Sequence, residues 1–181
     1  SWRFPLADPV RVALCDDHGV VRSGLRLILE AADDIVVVGQ AATGNEAIAM
    51  AADVHPDVLV MDVGLPDMSG IDATAKVLSA SPGTRVLMLS VHDDVAYLRG
   101  SFDAGAAGYL LKEAADVELV EAVRQVASGR QYVHPTMGAA LLAPDAGPRC
   151  LGGPGGHLSD RETEVLRLVA LGLTNPQIAE D

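Results

Sequence analysis

The sequence predicts an α/β fold, a doubly wound parallel sheet of five strands, and three observations predict it. Apolar, β-rich runs recur at fairly even spacing, helical patterns fill the intervals between them, and the runs show little of the polar alternation of a half-solvated sheet. Alternating strand–helix units of this kind imply a parallel sheet with right-handed crossovers and helices on both faces.

The runs are Val10–Cys15, Ile35–Val38, Val58–Val63, Val86–Val91 and Tyr109–Leu111. Val21, Leu25, Ile28 and Leu29 share one helical face after the first run. Thr43 followed by Glu46 is a capping-box pattern that opens the next helix. Ile71, Ala75 and Leu78 mark another. Val95, Leu98 and Phe102 form the helical face after the fourth run, and Leu119, Val123, Val126 and Ala127 the one after the fifth. This rhythm defines a domain over residues 10–131.

Residues 132–157 read as a linker. Within it, "QYVHPTMGAALLA" supports a short helix from about Pro135, and "PDAGPRCLGGPGGH" has linker composition. These glycines are not a phosphate cradle, because no Gly-Lys-Ser/Thr follows and no strand precedes. Helical order resumes over 158–181, with a second capping box at Ser159 and Glu162, then Val165, Leu166 and Val169. Thr174 caps a further helix, with Pro176 in its first turn.

Composition narrows the function. The 181 residues carry a net charge of −12, and acidic residues outnumber basic ones both before and after Pro144, so neither part has the basic footprint of a nucleic-acid binder. No segment approaches the roughly 18 uninterrupted apolar residues needed to span a membrane. Ser1–Val10 holds no signal-peptide core and reads as a tail. Cys15 lies in an apolar strand and Cys150 in a Gly/Pro-rich stretch, which is no disulfide framework and suits a reducing cytoplasm. Cys15 reads as a small apolar filler. Lysine occurs only at Lys76 and Lys112, so each deserves notice.

The chemistry sits where the strands end. In an open parallel sheet, ligands bind outside the carboxyl ends of the strands. The first run ends in Asp16–Asp17, the third in Asp62, the fourth in Ser90 and the last in Lys112. A single Asp after a strand is ordinarily a turn former or a cap, Asp17 could start a helix, and Ser90 alone is uninformative. Their conjunction, each at a different strand end, carries the weight. If the first and third strands are neighbours, three carboxylates converge, and charges that close require a cation. An all-oxygen, partly hydrated site of this kind suits Mg²⁺, with positions left for phosphate oxygens. Lys112 supplies a compact ammonium that can reach a phosphate oxygen.

"CDDH", "MDVGLPDMSG", "LMLSVHD" and "GYLLKE", in order and spacing over about Arg11 to Arg130, resemble a two-component response regulator's receiver domain. "LSDRETEVLRLVALGLTNPQIAED" resembles the start of a LuxR-type helix-turn-helix, which points to the NarL/FixJ subfamily. The resemblance implies the receiver fold with strand order 2-1-3-4-5, followed by a linker and a partial all-α helix-turn-helix. It implies Asp62 as phosphoacceptor and Asp17 as a direct Mg²⁺ ligand. Asp16 would bind Mg²⁺ through water, and the Gly64 main-chain carbonyl would complete the protein ligands. Lys112 would pair with phosphate oxygens, Ser90 would hydrogen-bond the phosphoryl group, and Tyr109 would swing into the space Ser90 vacates. Two departures stand out: Val91 is bulkier than the alanine common after the hydroxyl, and Glu113 stands where many receivers have proline.

The implied function is transcriptional control through phosphorylation of Asp62 by a sensor histidine kinase, in a cytoplasmic homodimer. The implied catalysis is confined to phosphoryl acceptance and slow autodephosphorylation. The recognition helix of such a DNA-binding domain is absent from this chain, so promoter DNA is expected to bind the intact regulator and not these 181 residues. Two other readings compete. A phosphorylation-independent module would answer to a ligand or partner. A phosphohydrolase with an aspartyl nucleophile usually needs an Asp-x-Asp pair, whereas Asp16 and Asp17 are adjacent.

Overall fold

The computed structural model describes residues 8–141, which fall within one compact unit, Ser1–Ala143. The expected capping box at Ser159, the helix after Thr174, the partial helix-turn-helix, Cys150 and residues 1–7 lie outside the described residues.

β1 (Val10–Cys15), β2 (Ile35–Ala41), β3 (Val58–Asp62), β4 (Arg85–Ser90) and β5 (Gly108–Leu111) alternate with α1 (Gly19–Glu30), α2 (Gly44–Val54), α3 (Gly70–Ala80), α4 (Val95–Asp103) and α5 (Ala115–Ala127). All pair in parallel, in the order β2-β1-β3-β4-β5, as expected. One element exceeds the expectation. Tyr132–Val133 forms a short sixth strand, β6, parallel to β5, and α6 (Pro135–Leu141) follows it. Two residues are too few to show a period, so this strand was not separable from linker in the sequence.

The strands look uniformly apolar because both faces are covered. Side chains alternate between two cores. Ala13, Cys15, Leu59, Met61, Val86, Met88, Tyr109 and Leu111 face α2, α3 and α4. Val12, Leu14, Val58, Val60, Leu87, Leu89 and Leu110 face α1 and α5, through Leu25, Leu29, Leu119, Val123 and Val126. The Thr43–Glu46 capping box forms as read: Thr43 Oγ1 accepts the Glu46 amide at 3.2 Å, and Glu46 Oε2 accepts the Ala42 amide at 2.8 Å. Ser69 and Asp94 cap α3 and α4 through side-chain oxygens.

The amino ends of the strands are closed by polar bonds that leave the opposite edge free for chemistry. Arg11 donates to the carbonyls of Val54 and His55 at the end of α2. Thr84 Oγ1 donates to the Pro56 carbonyl at 2.7 Å and lies 2.8 Å from Ser81 Oγ, with both side chains buried. Truncating this hydroxyl leaves a buried carbonyl unpaired. Thr84→Val is therefore expected to destabilise the fold by about 1–3 kcal/mol in urea unfolding, without altering chemistry at the far edge of the sheet.

Candidate functional site

Four strand ends deliver the site, those of β1, β3, β4 and β5, and its centre is a lysine held between two acids. Lys112 leaves β5 in a single 3-10 turn, Lys112–Ala114, and its Nζ lies 2.7 Å from Asp16 Oδ2 and 2.8 Å from Asp62 Oδ2. Asp16 and Asp62 are buried at 1% and 5% exposure, Asp17 stands more open, and Ser90 is buried. β1 and β3 are hydrogen-bonded neighbours, which is the condition the convergence of the three acids required.

The backbone is shaped for this. The Asp62 Oδ1 atom accepts the Gly64 amide at 3.1 Å, and the Asp16 Oδ1 atom accepts the His18 amide at 2.8 Å. Arg22 donates to the Asp16 carbonyl at 2.6 Å, fixing the turn into α1. Gly64 and Ser69 pair across the loop after β3, and the Gly70 amide donates to the Val63 carbonyl. A side chain at Gly70 would overlap the carbonyl oxygen of Asp62, so that loop can close only on glycine.

Burial pushes the Asp62 carboxyl above the usual carboxylate range, opposed by the Lys112 ammonium and the Gly64 amide. Lys112 pays for its own desolvation, yet the bonds to Asp16 and Asp62 together raise its pKa, so it stays a cation. Three carboxylates against one ammonium leave a net charge of about −2 around the pocket. Oxygen atoms of Asp16, Asp17 and Asp62 and a ring nitrogen of His18 lie within 4.8 Å of one another. The charge deficit and the hard oxygen donors fit a Mg²⁺ ion that keeps much of its water.

His18 is the N-cap residue of α1, and its ring also belongs to this cluster, with Nδ1 2.7 Å from Asp17 Oδ1. Asp67 gave no sequence signal of a role. Its two oxygens accept the Gly44 and Asn45 amides at 2.8 and 2.9 Å, and those bonds hold its carboxyl below the usual range. It ties the loop after β3 to the start of α2 across a separation no local pattern reveals. Cys15 is a buried, protonated thiol pushed up to about 12, first by burial and then by Asp62. Tyr109 is wholly buried, with its hydroxyl donating to the His92 carbonyl at 2.7 Å; burial raises its pKa. Ser90 Oγ accepts the His92 amide at 2.9 Å. Val91 is 72% exposed, so its extra bulk stands in solvent.

Comparison with known proteins matches this geometry to one family. The model described as "Response regulator receiver domain" matches residues 12–124. The chain is 40% identical to the oxygen regulatory protein NreC of Staphylococcus carnosus (strain TM300) over 179 residues, 94% of this chain and 82% of that one. It is similar to the crystal structure of a LuxR-family two-component response regulator from Aurantimonas sp. SI85-9A1, with 34% identity, TM-score 0.70, and coverage of 73% of this chain and 94% of that one. A structure of two RcsB dimers bound to two parallel DNAs is similar over 96% of this chain and 82% of that one, at 25% identity and TM-score 0.69.

The close approach at Gly70 gives a direct test of how the site is built. Gly70→Ala is expected to displace the main chain at Asp62, lower the thermal midpoint by roughly 4 °C or more, and weaken Mg²⁺ binding measured by calorimetry.

Proposed function

The chain belongs to the response-regulator receiver family, on its NarL/FixJ branch, and on that premise we propose that it is a transcriptional regulator switched by phosphorylation of Asp62. The observation that carries this reading is the Lys112 ammonium bridging Asp16 and Asp62 in a pocket with a remaining negative charge.

Asp62 is the nucleophile. One of its oxygens attacks the phosphorus of a phosphohistidine on a sensor kinase; the new O–P bond forms as the N–P bond breaks, and the histidine ring leaves with the electron pair. Asp16, Asp17, Asp62 and the Gly64 carbonyl would hold Mg²⁺, which would supply charge neutralisation for the phosphoryl oxygens. Lys112 orients Asp62 before transfer and neutralises a phosphoryl oxygen afterwards, exchanging one anionic partner for another. Ser90 donates its hydroxyl to the phosphoryl group. Burial of Asp62 excludes bulk water from the carboxyl and favours acceptance over rapid hydrolysis.

A protein donor suits the rim. Val20 opens α1, Val91 follows β4 and Val117 opens α5, and all three are exposed at the carboxyl edge of the sheet. Apolar side chains around an acidic mouth favour docking of another protein. No helix among the described residues is long and apolar enough to cross a membrane; a cytoplasmic location is part of the proposal. Homologous regulators pair with sensor kinases and bind DNA; here DNA binding by the intact regulator and homodimerisation are part of the proposal. Reversing a 1:99 population of the active form needs about 5.5 kcal/mol of preference from the phosphoryl group.

The test is labelling by acetyl phosphate with Mg²⁺. Asp62→Asn is expected to abolish label and, by removing one of three crowded charges, to raise the thermal midpoint by about 2–4 °C. Burial raises the Asp62 pKa in the metal-free site, and only the carboxylate attacks, so the labelling rate is expected to fall on acidification as Asp62 takes up a proton. Persistent labelling of Asp62→Asn, or Mg²⁺-independent labelling, contradicts the reading.

A further inference from the structure

Ser90 and Tyr109 are both bound to one residue. His92 donates its amide to Ser90 Oγ at 2.9 Å and accepts the Tyr109 hydroxyl on its carbonyl at 2.7 Å. Its imidazole lies flat on Tyr97, with ring centroids 4.2 Å apart and planes 7° from parallel. Tyr97 belongs to the first turn of α4, whose start is fixed by Asp94 Oδ1 accepting the Ala96 amide at 2.8 Å. Helix α4 packs in turn on α6, where Met137 is buried in the same core as Leu98, with Tyr97 and Phe102 against it.

We propose that His92 is the positioning residue that couples the Asp62 pocket to α4 and α6, its main chain tied to Ser90 and Tyr109 and its ring to Tyr97. The proposal rests on Asp62 being the phosphoacceptor. When the Ser90 hydroxyl turns toward a phosphoryl oxygen, the His92 amide either follows it or loses its partner. Either outcome changes the bonding that holds residue 92 in place. Because the Tyr109 hydroxyl is bound to the carbonyl of the same residue, Tyr109 must readjust with it. The ring extends the displacement into α4, since a face-on stack transmits motion along the normal to the ring planes. Beyond the chain itself, the ring makes that last link; the two main-chain bonds are open to any residue type except proline. The element with two states is the loop between β4 and α4, and both the pocket and α4 bias it.

The experiment uses the 181-residue chain with Mg²⁺ and beryllofluoride as the phosphoryl analogue, read by amide NMR shifts. In His92→Ala, the shift response at Val63 and Gly64 is expected to stay, while that at Tyr97–Phe102 and Met137 falls roughly twofold or more. His92→Phe, which keeps a flat ring, is expected to restore it. An undiminished α4 response in His92→Ala, or no rescue by phenylalanine, overturns the coupling and leaves the Asp62 reading standing. No response at Val63 and Gly64 in the unsubstituted chain overturns both.

Discussion

Holding the buried carboxylates of Asp16 and Asp62 together is the constraint on which the rest of the structure depends. Two buried carboxylates at that range cannot both stay ionised without a cation, and the fold supplies Lys112 from a third strand end. The ammonium solves the electrostatic problem only in part, because Asp17 adds a third negative charge. That residual deficit is the chemically useful quantity: it favours a divalent ion and, through it, a phosphoryl group.

Everything that positions these groups follows from the parallel sheet. Its strands all end at one edge, so residues separated by up to 96 positions in the chain meet there. The alternation of side chains between two cores leaves no polar demand within the strands, and the hydrogen bonds of Arg11, Ser81 and Thr84 satisfy the opposite edge. The bidentate pair between Arg124 and Asp34, at 2.8 and 2.7 Å, links α5 to the turn before β2 on the exposed side. The pocket thus sits on rigid strands, while the loop after β4, with its main-chain bonds to Ser90 and Tyr109, is the part free to respond.

Much of this was legible in the sequence because the signals were local. Strand runs, the Thr43–Glu46 box and the acids ending β1 and β3 each declare themselves within a few residues, and the strand order brings Asp16, Asp17, Asp62 and Lys112 to one place. Strand ends moved by a residue or more, with β2 reaching Ala41, since hydrogen bonding to a neighbour and not apolar character decides where pairing stops. The illegible features are those made by partners distant in sequence or by very short segments. Asp67 looked like any turn residue, β6 is two residues long, and the contact of His92 with Tyr97 depends on how a loop folds back on a helix. The bond from the Tyr109 hydroxyl to the His92 carbonyl is equally hidden, because it depends on the same loop.

The most direct measurement is chemical identification of the phosphorylated residue. An acyl phosphate on a carboxylate is reduced by borohydride to the corresponding alcohol, which leaves homoserine at the labelled aspartate. After treatment with acetyl phosphate and Mg²⁺, then borohydride, peptide mass spectrometry should place homoserine at position 62 and nowhere else. Homoserine at position 16, 17 or 67, or label that survives on a histidine or serine instead, would contradict the assignment of Asp62 as the nucleophile.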